Sequence, residues 1–195
     1  MRTLAATCIA VGLAVAPRPS SAQWGIGVEI GVARFGGSSR DTSGTTVGPY
    51  RPTTFELRAD RGLGPARVVL AVLYAKTGIA GEQPGVVVVQ YDAASFWEIA
   101  PQLSLRLARF GAGVDVRLEA GPAIQLWDLE GDSRTRAAAR TTAALEWPLA
   151  RALTGSLRVS ATLSGSVFDQ ADTPGGVERR ATRRFGVAVG LRYRM

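Results

Sequence analysis

Apolar and polar residues alternate along this chain with a period of two, and they do so in blocks. In residues 113–127, Val114, Val116, Leu118, Ala120, Pro122, Ile124 and Leu126 share one parity. Asp115, Arg117, Glu119, Gly121, Ala123 and Gln125 share the other. A strand places two such sets on opposite faces. Residues 96–107 repeat the pattern, with Trp97, Ile99, Pro101, Leu103, Leu105 and Leu107 set against Glu98, Ala100, Gln102, Ser104 and Arg106. Eight blocks carry it, near 24–35, 50–61, 66–77, 95–109, 113–127, 134–147, 155–168 and 182–195. The third, ARVVLAVLYAKT, is apolar on both parities; Val68, Leu70, Val72 and Tyr74 are read as its outer set. Helical periodicity is weak throughout, and beyond the N-terminal region no segment is apolar for the ~18 residues of a spanning helix.

The connections broadly alternate in length. Blocks two and three, four and five, and six and seven are joined by shorter turns around RGLGP, FGA and PLARALT. The others are joined by GGSSRDTSGTTVG, roughly GIAGEQPGVVVVQYDAA, DLEGDS and DQADTPGGVERRA, rich in Gly, Asp, Ser, Thr and Pro as surface loops are. DLEGDS is short and takes its side from order alone. Short turns therefore lie at one end of a sheet and long loops at the other. The segment VVVVQY, 86–91, is read as an extension of block four above the others.

Alternation alone is also what a soluble barrel shows, with its apolar parity inside. Three features reverse that orientation. The polar parity mixes glycine and alanine with charges of both signs, which suits a narrow bore filled by side chains. The apolar parity is large and nearly free of charge, and in water it would be one extensive apolar patch. Aromatic residues of the apolar parity stand near the block ends: Trp24, Trp147 and Tyr193 at the turn end, Phe55, Tyr74, Trp97 and Phe185 at the loop end. These are the two girdles of a barrel in lipid. The pattern predicts an all-β, eight-stranded antiparallel up-and-down transmembrane β-barrel over residues 23–195, with short periplasmic turns and longer extracellular loops.

The N-terminus agrees. Residues 1–22 combine Arg2, an apolar core from Leu4 to Ala16 and the small residues Ser20 and Ala22, which is the layout of a secretory signal peptide cleaved before Gln23. Cys8 follows Thr7 where a lipoprotein motif would have a smaller residue. Cleavage removes the one cysteine, and Arg2 and Arg18 take two of the seven net positive charges, leaving +5. The chain has no histidine and one lysine, Lys76. Its basic residues are spread by strand position rather than gathered in a tract, so nucleic acid is not expected as a partner.

The outward residues of the final block, Val187, Val189, Leu191, Tyr193 and Met195, resemble the C-terminal assembly signal of outer-membrane β-barrel proteins, although that signal usually ends in an aromatic. Pattern and architecture over 23–195 resemble the small eight-stranded class of OmpA-type, OmpX-type and OmpW-type barrels. The resemblance implies the outer membrane of a diderm bacterium as location, and outer-membrane lipid and the barrel insertion machinery as partners. A monomer is expected.

The inward parity carries the candidate chemistry. Its acids are Glu29, Glu56, Asp60, Glu98, Asp115, Glu119 and Glu146. Its bases are Arg58, Arg106, Arg117, Arg136, Arg140, Arg158, Arg184, Arg192 and Arg194. Near-balance predicts an internal salt-bridge network, because buried charges must be paired. The alternative is a charged path for solutes. At the loop end Arg134, Arg179, Arg180 and Arg183 are candidates for phosphorylated lipid headgroups, since guanidinium forks suit phosphate.

No catalytic constellation is expected: Ser160, Ser164 and Ser166 have no histidine to activate them, and with Thr162 they read as a polar ladder. No cofactor or metal is expected either, as Asp128, Glu130 and Asp132 lack the spacing of a calcium loop. Pro101 and Pro122 fall mid-strand and are expected to face each other at a bulge or a weak seam. The function that follows is non-enzymatic: membrane integrity, surface contact or adhesion through the loops. The alternatives are a narrow channel for ions or small hydrophobic solutes, and a soluble periplasmic barrel binding an apolar ligand.

Overall fold

The computed structural model describes residues 23–36, 39–40, 46–49, 52–83, 86–129, 132–166 and 181–195. The expected signal peptide lies outside the described residues. Eight long strands form the barrel: β1 (Trp24–Gly36), β4 (Thr53–Leu63), β5 (Ala66–Gln83), β6 (Val86–Phe110), β7 (Val114–Leu129), β8 (Asp132–Pro148), β9 (Leu153–Ser164) and β10 (Thr182–Arg194). Two short strands, β2 (Ser39–Arg40) and β3 (Thr46–Pro49), belong to the β1–β4 connection. Every sequential barrel neighbour pairs antiparallel, and β1 pairs with β10 over twelve consecutive positions from Gly25↔Arg194 to Gly36↔Arg183. The sheet thereby closes on itself and no barrel strand keeps a free edge at this level, as lipid demands of backbone groups. Among the described residues no helix is long and apolar enough to cross a membrane.

Side-chain parity follows the pleat. Val28 is 53% exposed, Leu57 60% and Val159 52%, whereas Glu29, Glu56 and Arg158 are all buried. In β5, Val68 and Leu70 face out and Val69, Ala71, Leu73 and Ala75 face in, which resolves the block that was apolar on both sides. The apolar set is thus outside and the charged set inside, which removes the basis for a soluble barrel with an apolar interior.

The turns at one end are tight. Gly64, at φ 68°, sits in the β4–β5 turn, and Gly111 (φ 47°) and Gly113 (φ 110°) shape the β6–β7 turn. These are left-handed conformations that side chains with a Cβ resist. The opposite end differs from expectation in one place. The connection read as a long loop from 78 to 94 is mostly strand: β5 and β6 continue as a ribbon, with Gln83 opposite Val86, after a register shift between Thr77 and Ile79. VVVVQY belongs to this extension. β3 adds to it through Thr46↔Glu82 to Pro49↔Ile79, and β2 adds to β3. The β7–β8 ladder runs to Leu129↔Asp132, in keeping with the short connection read there. The seventh block ends at Ser164; Ser166 follows the strand, and Val167 lies outside the described residues.

Pro101 and Pro122 stand opposite each other at a seam. β6 and β7 keep one register from Ile99↔Ile124 to Leu103↔Ala120, and the three pairs between them are missing from the ladder. Proline has no N–H to give, so the two strands touch there without bonding. Each proline still aligns with its other neighbour, Pro101 with Leu70 and Pro122 with Ala139. The β6–β7 bulge lies lower, between Arg106 and Ala108. Gly121 permits the approach, because a Cβ there would collide with the Pro101 carbonyl.

Candidate functional site in the barrel lumen

Strand register sets the level of each inward residue, and closure of the barrel decides which of them meet. Glu29 on β1 is aligned with Glu56 on β4, which would repel if left alone. Arginines from the same strand and from across the bore resolve the conflict. Arg58 lies 3.4 Å from Glu29 and donates to Glu56 (2.7 Å) and to Glu119. From β9, Arg158 meets Glu29 and donates to Glu119 and Glu146, both at 2.7 Å. Arg140 on β8 donates to Glu56 (2.7 Å) and Glu98 (3.2 Å). Arg184 on β10 completes Glu98.

Nearer the turn end, Asp60 receives two hydrogen bonds from Arg192, both at 2.6 Å, and Arg67 lies between Asp60 (3.9 Å) and Glu146 (2.8 Å). Every carboxylate of this group, Glu29, Glu56, Asp60, Glu98, Glu119 and Glu146, touches two arginines. The six arginines are Arg58, Arg67, Arg140, Arg158, Arg184 and Arg192, so the network is continuous and carries no net charge. Apart from Arg67, each member is at least nine-tenths buried. Isolated, each such charge would cost several kcal/mol in desolvation; pairing and hydrogen bonding are what make burial tolerable.

The loop end of the network is capped by rings. Gln125 donates to Glu98 (2.8 Å) and accepts from the Trp127 indole (3.3 Å). Trp127 stacks on Phe96 with centroids 4.6 Å apart, and Phe35 meets both edge-on at 5.6–5.7 Å. The Arg184 guanidinium lies 5.8 Å over the Phe96 ring. Where Glu29, Glu56, Arg140, Arg158 and Arg184 converge, the remaining void is only about 10 Å³. That is at the lower limit for a single water.

Eleven of the sixteen expected lumen residues meet in this network. The other five do not. Asp115 is held at the turn-end rim by Arg109 (2.7 Å), with Arg106 at 3.9 Å. Arg117 is buried but donates only to the Ser104 hydroxyl (2.9 Å) and to the carbonyls of Pro65 and Ser104. Arg136 donates to the Ser166 and Thr135 carbonyls near the loop end. Arg194 is exposed and donates to the Arg151 carbonyl. Arg136 and Arg194 stand near opposite strand ends, beyond the reach of the central network. Ser160, Thr162 and Ser164 do face inward as a ladder, and Thr162 accepts from Arg184 (3.0 Å).

Two of the four loop-end arginines fall on different faces of the wall. Arg134 is on the inward parity of β8, 3.9 Å from Asp132, whereas Arg183 is exposed on the outward face of β10. Arg179 and Arg180 lie outside the described residues, as does Glu130. No metal-binding cluster of His, Cys, Asp or Glu occurs among the described residues. Val187, Val189, Leu191, Tyr193 and Met195 all face outward.

Sequence reasoning missed Arg67 and the three rings. Arg67 shares parity with Val69 and Ala71, Trp127 with Gln125, Phe96 with Glu98 and Phe35 with Ala33, so each was legible as inward. That the three rings meet was not, because strands distant in sequence bring them together.

No family model matches the chain, and no curated protein matches it. Solved structures do. Neisserial surface protein A, NspA, superposes with a TM-score of 0.59 at 11% identity, covering 87% of this chain and 96% of that one. The outer membrane protein OprG from Pseudomonas aeruginosa superposes with a TM-score of 0.57 at 10% identity, covering 89% and 96%. At such identities the likeness is one of fold: the chain has the closed, eight-stranded, all-antiparallel architecture of small outer-membrane β-barrels.

Proposed function

We propose that this protein is an exported, non-conducting and non-enzymatic outer-membrane barrel that acts in surface contact through its loop end. One observation carries this reading. The bore is closed by a neutral network of twelve charged side chains beneath a layer of three rings, so it offers no continuous aqueous path. A narrow eight-stranded barrel is filled by its own side chains.

The apolar outer wall with aromatic residues towards both ends supports residence in lipid, with residues 1–22 as the export signal and the outward face of β10 as the part read by the insertion machinery. At the loop end, the β5–β6 ribbon with β2 and β3 supplies an extended sheet for contacts outside the membrane. The lumen carboxylates are held by arginines, and the chain has no histidine to act as a base, which supports the non-enzymatic reading. The test is single-channel recording in planar bilayers, on protein whose boiled and unboiled forms migrate differently on a denaturing gel. A heat-modifiable, electrically silent protein is expected. Discrete conductance steps would overturn the non-conducting assignment in favour of a narrow channel. The absence of any gel shift or membrane insertion would overturn the membrane assignment.

A further inference from the structure

Below the network, at the turn end, the bore widens into a cavity of about 360 Å³. Six arginines line it, Arg67, Arg106, Arg109, Arg117, Arg192 and Arg194, against two carboxylates, Asp115 and Glu146. Three of the six are already matched: Arg67 to Glu146, Arg109 to Asp115, and Arg192 to Asp60 of the lumen network. The other three make no hydrogen bond to a carboxylate. Arg194 donates to a backbone carbonyl, and Arg106 comes no nearer than 3.9 Å to Asp115, which Arg109 already holds in a bidentate grip. Arg117 is only 2% exposed, yet all its hydrogen bonds go to neutral oxygens and its Nη1 makes none.

A buried guanidinium facing a cavity without an anionic partner is costly. Here that cost falls where a charge of the opposite sign could enter from solvent. We propose that the turn-end cavity is a binding site for a small soluble phosphate-bearing anion, held by Arg117 at its base and Arg106 and Arg194 at its mouth. Guanidinium forks match phosphate oxygens in pairs, and the cavity is in the size range of small-ligand sites. The ligand is soluble rather than a lipid headgroup, because the site opens within the ring of strand ends and the wall separates it from the lipid-facing side. That the cavity faces the periplasm rests on the membrane reading above; the site itself does not.

The test uses the mature chain folded in zwitterionic detergent, with heat modifiability verified for each variant. Pyrophosphate is the probe, titrated by calorimetry at low ionic strength. The wild type is expected to bind, with affinity falling as salt rises, and Arg117→Gln and Arg106→Gln are each expected to weaken binding about tenfold or more. Lys76→Gln, on the lipid-facing wall, is expected to bind as the wild type does. If Arg117→Gln fails to fold, Arg106→Gln and Arg194→Gln at the open rim decide the matter. No binding by the folded wild type, or equal binding by the rim variants, overturns the site. Competition by phosphatidylglycerol in nanodiscs would overturn the assignment to a soluble anion. Loss of heat modifiability in the wild type would instead strike the membrane reading, so the two failures are distinguishable.

Discussion

Arg192 and Asp60 grip each other across β1. They come from β10 and β4, 132 positions apart, and both hydrogen bonds of the fork measure 2.6 Å. The strand between them presents Gly25 at this level, aligned with Asp60 on one side and with Arg194 on the other. A Cβ on Gly25 would occupy the space of the Arg192 guanidinium. The pair therefore fastens the closing strand to the strand beyond it, through a gap that glycine leaves open.

Removing one member should be costly. Arg192→Met leaves the buried Asp60 with only Arg67 at 3.9 Å, and the expected loss is about 3–5 kcal/mol. Gly25→Val should fall in the same direction by displacing the guanidinium. Both are read from reversible denaturant unfolding in micelles or vesicles. A double-mutant cycle with Asp60→Asn should return a coupling of about 1–3 kcal/mol, the range for residues in one network.

Arg158, like Arg58, touches three carboxylates of the network: Glu29, Glu119 and Glu146. Arg158→Ala removes the cation and its volume together. Folded Arg158→Ala should admit water between those three carboxylates and show small cation-selective conductance steps where the wild type is silent. Planar bilayer recordings in asymmetric salt give both the steps and the sign of selectivity.

The four tryptophans divide by face. Trp24 (50% exposed) and Trp97 (48% exposed) look outward, and Trp147 packs on the outer side over Gly155. Trp127 is buried in the bore, stacked on Phe96. In vesicles of brominated lipid, fluorescence quenching should leave one protected component, and Trp127→Phe should abolish it. Loss of the protected component from Trp24→Phe instead would contradict the assignment of faces.

The Pro101–Pro122 seam should be the weak point of the wall. Amides bordering the gap, those of Ile99 and Leu103 on β6 and of Ala120 and Ile124 on β7, should exchange with deuterium faster than those of Trp97 and Leu126 further along the same ladder. Replacing both prolines with valine supplies the missing donors and should slow that exchange. The expected gain in stability is about 1–2 kcal/mol for the two restored hydrogen bonds.

The eight strands, their faces and their order could be read from the chain because a strand in lipid has a period of two and a sharp difference between its sides. That is why Val28 and Glu29, adjacent in sequence, are assigned to lipid and lumen by parity alone. The same reasoning put opposed prolines on β6 and β7, since a tight turn at 111–113 fixes the register beyond it. It failed at strand ends. Arg136 and Arg194 have inward parity but stand near strand ends, outside the salt-bridge network, and the predicted loop at 78–94 is largely a ribbon, although its sequence carries no clear period of two.

What the sequence determined by itself was the inside and the outside of the barrel: a set of charges of both signs that had to be buried, and an apolar set that had to meet lipid. What only the tertiary structure decided was who pairs with whom. Glu119 shares Arg58 and Arg158 because closure brings β4, β7 and β9 around one narrow bore, while Arg117, two residues away, finds only neutral oxygens. Parity is a local property of the backbone, legible residue by residue. Pairing across a lumen depends on stagger and curvature summed over eight strands, which no short stretch of the chain contains.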